Sequence, residues 1–224
     1  MMDKLIERFS EQLREAIEIG RNAEVKVPEN KIEKVYVAGL GGSGIGGDFA
    51  AEFVYDKCKV PVFTAKGYDI PAYIDKNTLV VASSYSGNTE ETITAFYQLI
   101  KTGAKIVVLS SGGQLIQLAR ENELDYITVP GDWPSPRACL GYSMVQQLFI
   151  LHYCGLIDDS FISEILAAAD LVDREDADVR TRARQISGML EGKTPVIYIA
   201  DRMEAVAIRL RQQINENSKM LCWH

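Results

Sequence analysis

The chain has 224 residues, 47% of them hydrophobic and 25% charged, with a formal net charge of −7. That is the make-up of an ordinary globular protein, long enough for one large domain or one domain and part of another. The acidic balance, with no basic stretch, argues against general nucleic-acid binding, and no apolar run is long enough to span a bilayer.

Residues 3 to 23 put Leu5, Phe9, Leu13 and Ile17 on one helical face. This reads as a leading amphipathic helix, ended near Gly20, that covers the core. The first ten residues are charged and lack the apolar centre of a signal peptide, so a cytoplasmic protein is expected. Strand-like runs follow at Val35–Ala38, Val60–Ala65, Thr78–Ala82, Lys105–Leu109 and Tyr126–Val129. Helical stretches lie between them near Asp48–Tyr55, Thr89–Lys101 and Gly113–Glu121; the stretch before Thr78 carries Pro71 and has room for a turn. Strands alternating with helices predict a parallel sheet covered on both faces, with ligands beyond the strand C-termini.

After the proline-rich segment 130–136, the apolar run Ala138–Tyr153 predicts a buried helix closed by Gly155. Residues 159 to 191 predict one or two charged connecting helices. Thr194–Ala200 then reads as a new strand and Glu204–Asn215 as a helix, so the strand–helix pattern of residues 35–57 begins again. One such unit cannot form its own core. It packs on the first domain or a partner, or it is the front of a longer protein.

Two small-residue segments carry the chemistry. Gly39-Leu-Gly-Gly-Ser-Gly44 fits the dinucleotide pattern G-x-G-x-x-G, but the second strand ends at Lys66 rather than at the acidic residue a ribose needs. The second segment is Ser83-Ser-Tyr-Ser-Gly-Asn-Thr-Glu-Glu91. A capping box accounts for Asn88 and Glu91. A phosphate cradle, built from backbone N–H groups at a helix start and hydroxyl donors without a lysine, also uses Ser84, Ser86 and Thr89. The cysteines at 58, 139, 154 and 222 show no metal or redox spacing, and His152 and His224 are the two imidazoles, so reduced thiols, no metal and no cofactor are expected. His152 reads as a hydrogen-bonded core or interface residue. Trp133 either flanks a ligand or packs its loop. Lys219 reads as solvated.

Gly41-Gly-Ser-Gly44 together with Ser84-Tyr-Ser-Gly-Asn-Thr-Glu-Glu91 resembles the sugar isomerase (SIS) domain. Pro136-Arg-Ala-Cys-Leu-Gly-Tyr142, the 194–200 strand and Gln213-Ile-Asn-Glu-Asn-Ser-Lys219 narrow the resemblance to the bifunctional phosphoglucose/phosphomannose isomerases. The resemblance implies a three-layer α/β/α fold with a five-stranded parallel sheet, plus the start of a second SIS domain. Residues 1–154 would form the first domain with its leading helix, 155–192 a helical connector, and 193–224 the first strand–helix unit of the second. It implies a homodimer, a sugar-phosphate ligand, no nucleic acid and no membrane. Gly42, Ser43, Ser84, Ser86 and Thr89 would hold the phosphate, Arg137 would sit near the reacting carbons, and Glu216 would be the base. The activity implied is interconversion of fructose 6-phosphate with glucose 6-phosphate or mannose 6-phosphate through an enediolate, in glycolysis and gluconeogenesis.

Arg137 stands at a helix start, where the dipole disfavours a cation; that conflict points to a use for the charge. The family also has a full second SIS domain and, shortly after the glutamate, a histidine that assists ring opening. Here eight residues follow Glu216, and His224 does not stand in that context. Two further readings therefore stand: a non-catalytic sugar-phosphate-binding SIS module or incomplete isomerase fragment, and an isomerase of another sugar phosphate.

Overall fold

A computed structural model describes residues 2–224. Five runs form strands: β1 (Lys34–Gly39), β2 (Val62–Ala65), β3 (Thr78–Ser83), β4 (Lys105–Ser110) and β5 (Asp125–Thr128). The helices are α1 (Met2–Glu7), α2 (Phe9–Arg21), α3 (Gly41–Phe53), α4 (Glu90–Leu99), α5 (Gly113–Glu121), α6 (Leu140–Tyr153), α7 (Ser160–Arg174), α8 (Asp176–Leu190) and α9 (Glu204–Gln213). A 3₁₀ turn at Pro136–Ala138 precedes α6, and a π-helical turn at Ile214–Ser218 follows α9.

The strands pair in the order β2-β1-β3-β4-β5, all parallel. Their alternation sorts the core into two layers. Val35, Val37, Leu79, Val81 and Val107 face one side, where α3 and α6 cover them and α2 and α7 complete the same core. Tyr36, Val80, Ala82, Ile106 and Val108 face the other, under α4 and α5. Because both faces are covered, β3 is buried at every position.

Four expectations are corrected. The leading helix is two helices, broken at Arg8, so that α1 packs on the 3₁₀ turn while α2 packs on α6. The glycine-rich run is not a loop: α3 begins at Gly41, well before Asp48. Asn88 does not cap α4, whose N-cap Thr89 makes no side-chain cap bond; its amide oxygen instead accepts from Gln114 N at 3.0 Å, tying the serine loop to the start of α5. Residues 194–200 do not form a strand. A strand needs a ladder partner, and this one has a single bridge, Val196 to Trp223, with Tyr198 92% exposed.

The last helix does pack on the sheet domain. Glu52 Oε1 accepts from Ala205 N at 2.7 Å, capping the start of α9 from the end of α3, and Ala205 and Ala207 are buried.

Candidate functional site

In the order 2-1-3-4-5, β1 is followed by a helix on one face and β3 by a helix on the other. The chain parts between them, and a crevice opens beyond the strand C-termini. The two small-residue segments meet there around a cavity of about 230 Å³. Gly42, Ser43, Ser86 and Thr89 line it, joined by Tyr85, Ser110, Cys139 and Ser143.

Glycine lets α3 start hard against β1. A Cβ on Gly44 would lie 2.5 Å from the Gly39 carbonyl oxygen, closer than any real side chain comes. That approach puts Ser43, 7% exposed, at the cavity wall, where its Oγ accepts from Tyr85 N at 3.0 Å and joins the two loops. On the β3 side, Gly87 takes φ +68° with its α-carbon pressed toward the Gly112 carbonyl, so the loop turns in too little space for a side chain.

Ser84 is placed differently from its neighbours. It is 1% exposed and does not line the cavity. Its hydroxyl contacts Thr89 Oγ1 at 2.8 Å and accepts from Gly87 N at 3.1 Å. Ser84 therefore shapes the loop and aims Thr89, while Ser86 and Thr89 reach the space itself. No side chain caps α3 or α4; Gly42 and Ser43 of α3 and the α4 N-cap Thr89 line the cavity, and no lysine or arginine lines it among the described residues. Neutral donors and two helix N-termini suit an anion attached to a small molecule.

Tyr85, Ser110 and Ser143 were not singled out from sequence. Tyr85 lay inside the serine motif and was legible there; its hydroxyl donates to the Pro130 carbonyl at 2.8 Å, and burial raises its pKa. Ser143 comes from α6 and carries no sequence signal. Burial pushes the Cys139 thiol up to about 11, so it is a neutral wall. Trp133 packs its loop: it stacks edge-on against Tyr142 at 5.9 Å and lies outside the cavity lining. His152 is half-buried, its Nδ1 3.3 Å from the Ile157 carbonyl oxygen.

Arg137 and Glu216, far apart in sequence, are brought together. Arg137 Nε stands 3.1 Å from Glu216 Oε2, and Arg137 Nη1 donates to Asn217 Oδ1 at 2.7 Å. Arg137 sits in the 3₁₀ turn, which Gln12 holds from α2: Gln12 Nε2 donates to the Ala138 carbonyl at 2.9 Å, and its Oε1 accepts from Gly141 N at 2.8 Å. Gln12 is fully buried and was missed; its one trace in the sequence is a polar residue at the margin of the apolar stripe of α2. The neighbours Pro136 and Cys139 line the cavity, whereas Arg137 and Glu216 are outside its lining and Arg137 lines a separate cavity with Arg209 and Gln213.

Residues 180–224 match a family model described as the bacterial phospho-glucose isomerase C-terminal SIS domain. The chain is similar to the bifunctional phosphoglucose/phosphomannose isomerase of Caldicellulosiruptor bescii, at 42% identity over 225 residues, covering 97% of this chain and 66% of the relative. It is also similar to the enzyme of that name from Thermoplasma volcanium, at 35% identity over 196 residues, covering 86% and 59%. In fold it resembles the C-terminal domain of glucosamine-fructose-6-phosphate aminotransferase from Francisella tularensis, with a TM-score of 0.78 at 18% identity over 99% of this chain and 69% of that one. The chain thus spans between 59% and 66% of the length of these two curated relatives. Among the described residues no helix is long and apolar enough to cross a membrane. With a five-stranded parallel sheet between two helical layers, a serine-lined crevice and this sequence likeness, the chain belongs to the SIS-domain family of bifunctional phosphoglucose/phosphomannose isomerases.

Proposed function

We propose that this chain binds a hexose 6-phosphate in the crevice between the β1 and β3 loops and isomerises it between C1 and C2. The observation that carries the reading is the meeting of Glu216 with Arg137, whose neighbour Pro136 lines the crevice. Ser43, Ser86 and Thr89, with the N-termini of α3 and α4, anchor the phosphate. Remote binding then orients the reacting carbons. The Glu216 carboxylate takes the C2 proton of the aldose and returns it to C1, while the hydroxyl proton moves from O2 to O1. The Arg137 guanidinium stabilises the enediolate oxygen that carries charge in between. Fructose 6-phosphate, glucose 6-phosphate and mannose 6-phosphate share that enediolate, so one base serves both epimers. Residues 180–224, which match a C-terminal SIS domain, support reading the end of the chain as the start of a second such domain.

One observation favours a second reading, a sugar-phosphate-binding module without turnover. The Glu216 side chain is 52% exposed and stands outside the cavity lining. Turnover of fructose 6-phosphate by the purified chain and by Glu216→Gln separates the two. The isomerase reading expects a loss of about 10²–10⁴-fold in kcat in the variant. Equal turnover in both proteins would remove Glu216 from the base role. Binding of the sugar phosphate with no turnover in either would establish the module.

A further inference from the structure

Arg209, Gln213 and Asn217 stand four residues apart along α9 and its π turn, on one helical face. Arg209 and Asn217 each bond Arg137, and Gln213 stands between them. The Arg209 guanidinium donates from Nη2 to the Arg137 main-chain carbonyl. The Gln213 amide, with its oxygen toward Arg209, accepts from both terminal guanidinium nitrogens at 3.1 Å. Asn217 Oδ1 accepts from the Arg137 side chain at 2.7 Å. The π turn also sets Glu216, immediately before Asn217, against Arg137 Nε. An extra residue in a helical turn shifts the residues after it to a new face, and such turns recur at functional sites.

Arg209 is not where packing alone would put a cation. It is half-buried, and both that burial and the neighbouring Arg137 charge lower its pKa, with Glu216 opposing them. An apolar side chain would fill the same space without the desolvation. The fork geometry of arginine is what the position uses, because one side chain reaches the Arg137 carbonyl and the Gln213 amide together.

We propose that Arg209 is a positioning residue: by gripping the Arg137 backbone from α9, it fixes the distance between the Arg137 guanidinium and the Glu216 carboxylate. This rests on the reading of Arg137 and Glu216 as the reacting pair. The anchor at the other end of α9 completes the device. Glu52, on the same helix α3 that presents Ser43, caps the α9 start. Helix α3 thereby ties the phosphate cradle to the turn that carries Glu216.

The test compares the full chain with Arg209→Lys, Arg209→Met and Gln213→Leu. Steady-state turnover of fructose 6-phosphate is measured alongside the thermal midpoint and the ¹⁵N-edited Nε–H resonance of Arg137, assigned by its loss in Arg137→Lys. The expected result is a fall in kcat of roughly ten- to hundredfold in Arg209→Met with KM within about twofold, since the phosphate anchor is untouched. Arg209→Lys recovers part of the loss. The Arg137 Nε–H signal moves to its position in Glu216→Gln. Unchanged kcat in a folded Arg209→Met, or a rise in KM alone, overturns the proposal. If the unaltered chain binds sugar phosphate without turnover, the isomerase reading fails by itself. The Nε–H signal then decides, and an unmoved resonance in Arg209→Met overturns the positioning role. If Arg209→Met does not fold, Arg209→Lys and Gln213→Leu are read by the same criteria.

Discussion

Ser84 and Ser86 are two residues apart and do different work. The Ser84 hydroxyl is enclosed and holds Thr89 and the Gly87 amide, while Ser86 is exposed at the cavity. Ser84→Ala should lower stability by about 1 kcal/mol, the net worth of a hydrogen bond, as read by urea unfolding. Ser86→Ala should leave the unfolding midpoint in place. It should instead weaken glucose 6-phosphate binding, read by calorimetry, by roughly ten- to hundredfold, since a hydrogen bond to a charged oxygen is worth about 1.5–3 kcal/mol. The reverse pattern would move the phosphate away from Ser86. Both serines are equally visible as letters. Which one faces the cavity depends on how the loop closes over Gly87, and that is set by the Gly112 carbonyl from another strand's loop.

At the scale of elements, α3 shows propensity overruled by packing. Glycine in a helix costs about 1 kcal/mol relative to alanine, yet α3 opens with a run of glycines. Gly44→Ala gains that increment and places a methyl 2.5 Å from the Gly39 carbonyl oxygen, a backbone atom that cannot rotate away. The overpacking cost of about 1–3 kcal/mol should win, so the variant should unfold at lower urea and lose sugar-phosphate affinity together. A more stable Gly44→Ala would show that α3 does not press on β1. The sequence showed the glycines and their place after a strand. It did not show that they are helical, because a local reading weighs glycine as a helix breaker and has no access to the sheet behind it. The same limit hid Gln12, whose partners lie in the turn before α6.

Across the whole molecule, stability is uneven. Strands β1, β3 and β4 are buried between two helical layers, whereas residues 194–200 are held by main-chain bonds to Trp223, with Ile197 N donating at 2.8 Å and Trp223 N donating to Pro195 at 3.0 Å. Val196, Tyr198, Ile199, Leu221 and Trp223 remain exposed there. Amide hydrogen exchange should therefore be slowest in β1, β3 and β4, approaching the global unfolding limit, and fast at Tyr198, Ile199 and Ala200. Equal protection in the two regions would mean that the 194–200 segment pairs as a strand in solution. Its apolar letters read as strand because period and β-propensity are local properties. Whether a strand exists is decided by a neighbouring ladder, which these residues lack.

The five strands of the parallel sheet, the two small-residue segments that follow β1 and β3, and the resemblance carried by the serine motif were all present in the sequence by itself. They depend on hydrophobic period, turn chemistry and local motifs, each confined to about a dozen neighbouring residues. Tertiary structure alone decided that the 39–44 and 83–89 segments share one crevice, that Ser84 supports while Ser86 faces the cavity, and that Arg137 meets Glu216 beneath Arg209. Those relations join residues distant in the chain. They arise because helices α2 and α3 must bury one face of the sheet, and in doing so carry the turn before α6 and the start of α9 to the same end of the strands.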